Sequence, residues 1–399
     1  SEAARDLYAL MRPVLACSAI AVVSLAPMLK GCGTGLEDLP APPDAELQAS
    51  IVAARYLAGG YEDAIDSTRN QPYVIYHWRY TQGVTLWALL LLHERLGNPT
   101  YLEQVRASLE SWDAQGRIRI HGGSDPIDYI GSVAHAIVEY SQRSEDGRFL
   151  DGALEAARFF HEDVDRTPDG LIAHHSAPER GRIWLDALFM VTPLMAKAGA
   201  ILGDESYYDD VLAQFQGFTA RLRDPDVGLY HQGWGWHGPQ ASPGYWGRTN
   251  GWAALAMTEV LDTIPSGYPG RDDLLALYQG FVEAIVAHQG LGGMWHQLLN
   301  RPDSYEETSA TAMFIYSLSQ GVQRGWLDQP YRDAIHRGHA GLSRLISLGG
   351  NIDNISPGSS TKSSEEGYLD KTPQRNDDHG IGPVMLALYG VMSLQDAGE

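Results

Sequence analysis

Trp184–Leu222 reads WLDALFMVTPLMAKAGAILGDESYYDDVLAQFQGFTARL. Its first half is almost entirely apolar, with Asp186 at its start, whereas its second half repeats apolar positions at spacings of three and four between charged residues. A helix that is apolar all round belongs inside an assembly, and an amphipathic one belongs outside it. The same spacing recurs from about Ala45 onward, in LQASIVAARYL, GVTLWALLLLHERLG, YLEQVRASLESW and IGSVAHAIVEYSQ, and on to IGPVMLALYGVMSL near the C-terminus. It predicts about twelve helices joined by turns that carry Gly, Asp, Asn or Pro. Extended stretches are few and short, and no motif repeats with a fixed period. Alternating inner and outer helices suit a closed toroid of six helical hairpins, an all-α (α/α)6 barrel, better than an open solenoid. The loops at one end of such a barrel make its pocket.

Composition narrows the function. The chain of 399 residues has a formal charge of -21, so its overall field repels nucleic acid and anionic membranes. Fourteen His are present, yet there is no HExxH and no CxxC, and a zinc site has no support from sequence. Cys17 and Cys32 both lie near the N-terminus, so packing and not a disulfide framework must hold the fold. Residues 1–40 read differently from residues 41–399, which are expected to form a single catalytic domain. From Met11 the leader runs MRPVLACSAIAVVSLAPMLKGCG, the shape of a secretory signal ending in a lipoprotein-like cleavage site with a lipid anchor on Cys32. That predicts an exported, periplasmic or lipid-anchored protein. The acidic residues Glu2 and Asp6 ahead of Met11, and Pro27 within the run, leave an additional buried helix and a cytoplasmic protein as the alternative.

The other unusual stretch is Tyr230–Glu259, YHQGWGWHGPQASPGYWGRTNGWAALAMTE. Loops rich in Gly, Pro, Asn and Ser normally carry few large rings, because an exposed indole costs apolar hydration. Here Trp234, Trp236, Trp246 and Trp252 flank His231 and Arg248 just where a helix begins. The cluster predicts the wall of a pocket for a ligand with a flat or apolar face, although any single Trp could equally seal the end of a helical domain. Arg248 suits an anion clamp, since a guanidinium among indoles can bind a carboxylate while it stacks.

Asp186, between Trp184 and Leu188, is either a partly desolvated general acid or a helix N-terminal carboxylate bonded to free backbone N–H groups. Asp128, in HGGSDPIDYIGSVAHA, holds an equivalent place with Asp125 nearby. Two such carboxylates facing each other would push their pKa values apart, leaving one protonated and one ionised. His231 and His379 are each either pocket residues or bonded structural ones. At Glu306, Glu307 and Thr308, helix capping explains much of the pattern.

The motifs WLDALFM, GLYHQGW, YWGRTNGW, GMWHQLLNRPDSYEETSATAMFIYSL and DDHGIGPVMLAL together resemble the unsaturated rhamnogalacturonyl and glucuronyl hydrolases, glycoside hydrolase families 105 and 88, and the former more closely. The likeness spans about Tyr73 to Leu394 and implies the (α/α)6 barrel. It also implies that Asp186 is the general acid/base and Asp128 the second aspartate, with Asp125 as its rival, and that His231, Trp246, Arg248 and Trp252 line the pocket. Two departures, the loop GWGWHGPQASPGY and Thr249 where the family usually has Gly, are expected to affect outer subsites more than the chemistry. The implied partner is an oligosaccharide ending in a 4,5-unsaturated uronic acid, hydrated with no metal or organic cofactor. Another (α/α)6 sugar enzyme, such as an epimerase or a hydrolase of saturated glycosides, and a non-catalytic carbohydrate-binding barrel are the alternatives.

Overall fold

A computed structural model describes residues 44–61, 65–66, 71–72, 78–118, 126–174 and 181–396. The leader, Cys17, Cys32 and Asp125 lie outside the described residues. Among these, the main helices are α1 (Ala45–Leu57), α2 (Tyr80–Leu96), α3 (Pro99–Ala114), α4 (Ser132–Ser144), α5 (Leu150–Glu162), α6 (Ala187–Leu202) and α7 (Ser206–Leu222). They continue with α8 (Gly247–Thr263), α9 (Arg271–Ala287), α10 (Thr308–Gln323), α11 (Tyr331–Ser343), the single turn α12 (Glu366–Leu369) and α13 (Asp378–Asp396). Two short antiparallel pairs complete them, β1 (Ile65–Asp66) with β2 (Gln71–Pro72) and β3 (Ile183–Trp184) with β4 (Gly233–Trp234).

Burial separates the helices into two rings. In α6 every residue from Ala187 to Ala196 is buried, and in α8 every residue from Gly247 to Leu261. In α7 and α9 only one stripe is buried, as their amphipathic spacing requires. The inner helices pack in sequence, α2 on α4, α4 on α6, α6 on α8, α8 on α10 and α10 on α13, and α13 closes the ring on α2. This is the (α/α)6 barrel expected from sequence. The twelve segments read as helices all form, with α12 as a short addition in the loop before α13.

Two local features aim side chains at one mouth of the barrel. The β3–β4 pair, with the Leu185 N–H donating to the Gln232 carbonyl at 2.9 Å, fixes the run into α6 and therefore Trp184 and Asp186. Ahead of α4 the chain widens into a π-helical turn, Ile127–Gly131, that carries Asp128. Such widened turns accommodate an extra residue and re-aim the side chains on it. Gly131 makes the turn possible, because any Cβ there would collide with the Met190 backbone carbonyl of α6. The backbones of the two aspartate-bearing segments therefore touch.

Candidate active site

The start of α8 builds one wall. Trp246 pairs with Leu298 in an isolated bridge, and the Gly247 N–H donates to the Gln297 carbonyl at 2.7 Å, which anchors the helix entrance. Arg248 and Trp252, four residues apart, then share a helix face. A cavity of about 480 Å³ opens at this point, within the usual range for a small-molecule site. Asp128, Asp186, Trp246, Arg248 and Trp252 line it together, with Trp184, Tyr129 and Met190 beside them. Arg79, Tyr80, Lys371 and the loop Gly358–Ser360 complete the wall.

Asp186 occupies the N-cap of α6 but makes no side-chain capping bond. Capping, one of the two sequence readings, belongs instead to Glu307, whose carboxylate accepts from the Ser309 and Ala310 N–H groups. The Asp186 carboxyl faces the cavity, and its Oδ1 accepts a hydrogen bond from the Thr249 hydroxyl. Burial raises its pKa from the ordinary value to about 6, while Thr249 and the positive charges of Arg248 and His379 pull it back. Repulsion from Asp128, the cause expected from the paired carboxylates, is not among the main ones. Thr249 is corrected as well: the sequence assigned this departure to outer subsites, and its side chain reaches the central carboxyl.

The guanidinium of Arg248 lies over the Trp246 ring, 4.3 Å from its centroid. Its Nη2 donates to the Pro357 carbonyl at 2.8 Å and its Nη1 to the Ser356 carbonyl. Both partners are neutral, and among the described residues no carboxylate forms an ion pair with this buried cation, whose charge reaches Asp186. Trp252 stacks on Phe189, not on Arg248, with centroids 4.9 Å apart, and meets Tyr80 edge-on. The indole N–H groups of Trp184 and Trp246 are buried without a hydrogen-bond partner among the described residues. Buried donors are rarely left so, and two in one cavity wall point to a polar ligand.

His231 and His379 sit differently. The His231 ring packs against Tyr245, its Nδ1 lies 3.1 Å from the Gly244 carbonyl, and it is not one of the cavity-lining side chains. His379 is buried one layer behind the wall, with Nε2 2.5 Å from the Tyr80 hydroxyl and Nδ1 2.5 Å from Asp377. Burial and Arg248 pull the imidazole pKa down, but Asp377 and Asp378 outweigh them and the net shift is upward. Tyr80, Arg79 and Lys371 were not found from sequence. Tyr80 opens the apolar helix α2 as Asp186 opens α6, which is the one signal it offered. Lys371 donates to the Gly358 carbonyl at 3.2 Å, and burial followed by the charges of Lys362 and Arg248 lowers its pKa.

Among the described residues, two buried groups have the residue types of a metal site, Asp377/Asp378/His379 and His135/Glu139/Glu259. In each the anionic charge already meets a protein cation. Arg79 lies 3.1 Å from Asp378, and Lys197 lies 2.6 Å from Glu139 with Arg143 on its other oxygen.

The family model described as Glycosyl Hydrolase Family 88 matches residues 62–395. The chain belongs to that family. Among curated relatives, the unsaturated rhamnogalacturonyl hydrolase YesR of Bacillus subtilis is 27% identical over 323 residues, covering 79% of this chain and 90% of the relative. A possible glycoside hydrolase family 105 member from Salmonella enterica superimposes with a TM-score of 0.77 at 21% identity, covering 94% of this chain and all of that one. The unsaturated glucuronyl hydrolase of Bacillus sp. GL1 superimposes with a TM-score of 0.66 at 20% identity, over 86% of this chain and 95% of that one. These structural likenesses bear on the barrel, and membership of the family makes the chain a glycosidase.

Proposed function

We propose that this glycosidase removes the terminal 4,5-unsaturated uronic acid from lyase-generated oligosaccharides, with Asp186 as general acid. The observation that carries the reading is a cavity in which burial holds one carboxyl at a pKa of about 6 beside a buried arginine that, among the described residues, bonds to neutral carbonyls and forms no ion pair. A neutral acid and a nearby cation outside any ion pair are what protonation of an anionic enol ether requires. The names of the curated relatives support the substrate class.

The ring of such a sugar has a C4=C5 double bond conjugated to its carboxylate and joined to the ring oxygen. Asp186 delivers its proton to C4, and positive charge develops at C5 and the ring oxygen. Water adds to C5 and loses a proton to the Asp186 carboxylate, giving a hemiketal. Opening of the hemiketal leaves a ketone at C5 and a hemiacetal at C1, which expels the saccharide. Because attack is at C5, carboxylate spacing carries no inverting or retaining meaning here. Arg248 lies where its charge holds the uronate carboxylate, while Trp246, already stacked with Arg248 and Tyr368, and Trp252, stacked on Phe189, wall the pocket around the flattened ring. Asp128, on the adjoining π-helical turn, accepts hydrogen bonds from ring hydroxyls, and the indole N–H groups of Trp184 and Trp246 donate to them. His379 acts behind Tyr80, and His231 shapes the loop that carries Tyr245.

The test is the ultraviolet absorbance of the conjugated double bond, followed on unsaturated disaccharides from pectin, ulvan and glycosaminoglycan. Loss of absorbance with one of them is expected and names the uronate. No loss with any, from folded protein, sinks the reading in favour of a saturated glycoside or a binding role.

A further inference from the structure

The hydrogen bond from Thr249, which is fully buried and does not itself line the cavity, holds the cavity-lining Asp186, and no step above uses it. We infer that Thr249 is a positioning residue, whose hydroxyl holds Oδ1 of Asp186 so that the acidic proton sits on Oδ2, the oxygen left for the substrate. The inference rests on Asp186 being the acid.

Three observations carry it. Asp186 makes no capping bond into the first turn of α6, so the free N–H groups of that turn do not hold the carboxyl, and the backbone contribution to it is its own N–H. Thr249 is fully buried in the first turn of α8, which fixes the direction of its hydroxyl. That hydroxyl donates to Oδ1 from the neighbouring inner helix, from a residue 63 positions away. A neutral carboxylic acid has one carbonyl oxygen and one O–H. An oxygen that accepts from Thr249 takes the carbonyl role, which leaves the proton on its twin.

The bond also changes during the reaction. The proton leaves Oδ2 for C4, the electron pair stays on the carboxyl group, and Thr249 keeps its own proton throughout. A hydrogen bond to the resulting carboxylate is roughly twice as strong as one to the neutral acid. Thr249 therefore binds the group more tightly as the proton departs, and an interaction that strengthens on the way to the transition state accelerates the step. It also restrains the rise that burial imposes on Asp186. Burial alone would make a weaker acid.

Thr249→Val keeps the shape and removes the donor. It is expected to lower kcat by about tenfold or more with little change in KM, the loss of one hydrogen bond to a charged group. The alkaline limb of the pH profile should move up by about one unit. Thr249→Ser should restore both the rate and the profile, and Thr249→Ala stands in for Val if that variant does not fold. A readout without substrate accompanies these: titration of the Asp186 carboxyl by difference infrared spectroscopy, identified by subtraction of Asp186→Asn, should shift upward in Thr249→Val. An unchanged titration and profile in Val, or a Ser variant that behaves as Val does, overturns the inference. A wild type inert towards every unsaturated substrate overturns the hydrolase reading instead, while the carboxyl titration still decides what Thr249 does.

Discussion

Replacing Arg248 tests how the cavity holds an anion. Of the five N–H donors on a guanidinium, the structure engages Nη1 and Nη2 with the Ser356 and Pro357 carbonyls, and the charge itself has no carboxylate partner among the described residues. Arg248→Gln removes that charge. It should raise KM for an unsaturated uronate and cut kcat/KM by about 100-fold or more, the scale of breaking a buried, hydrogen-bonded charge pair worth roughly 2–5 kcal/mol. A second effect has a definite sign. Because the Arg248 charge lowers the Asp186 pKa, its loss should move the alkaline limb of the pH profile upward. Stability should also fall, since the loop carrying Ser356 and Pro357 loses charge-assisted bonds, each worth about 1.5–3 kcal/mol. The deciding assay compares the free acid with its methyl ester in wild type and variant. The ester should be a poor substrate for wild type and should lose little more in Arg248→Gln. Equal further losses for acid and ester would refute the clamp.

Wild-type kcat/KM should fall roughly tenfold per unit as pH rises above about 6, where Asp186 loses its proton, and a flat profile to pH 8 would contradict a neutral Asp186. Gly131→Ala should destabilise the fold by about 1–3 kcal/mol, read by denaturant unfolding, because its Cβ would collide with the Met190 carbonyl. Burial raises the Glu259 pKa above the ordinary carboxylate range. Between that ordinary value and neutrality the native state keeps a proton that the unfolded chain has lost, so this group's contribution to stability falls as pH rises. The stability of Glu259→Gln relative to wild type should accordingly improve over that interval, by thermal unfolding at a series of pH values.

The helices were legible because burial leaves a local trace. An inner helix such as α6 or α8 must be apolar on every side, and an outer one such as α7 in a stripe, so the two rings alternate in the sequence itself. The gathering of Asp128, Asp186, Trp246, Arg248 and Trp252 was legible in part, since each stands at the entrance to an inner helix. What sequence did not carry are pairings set by barrel closure. Tyr80 meets His379 299 positions away and Thr249 meets Asp186 63 positions away, and no periodicity encodes either. Whether Asp186 caps was equally open, and it does not, whereas Glu307 caps as its sequence context suggested. The loop Gly358–Ser360 and Lys371 resemble ordinary polar linker, and only their place over the mouth gives them a role.

The central claim is that Asp186 protonates the double bond before the saccharide leaves. Its most direct test follows, in single turnover, the absorbance of the double bond and the release of the saccharide, in wild type and in Asp186→Asn. Absorbance should fall ahead of or together with release. In Asp186→Asn both should slow by about 10²–10⁴-fold, the usual worth of a general acid, while substrate still binds. Release that runs ahead of the absorbance change, or near-wild-type turnover by Asp186→Asn, would contradict it.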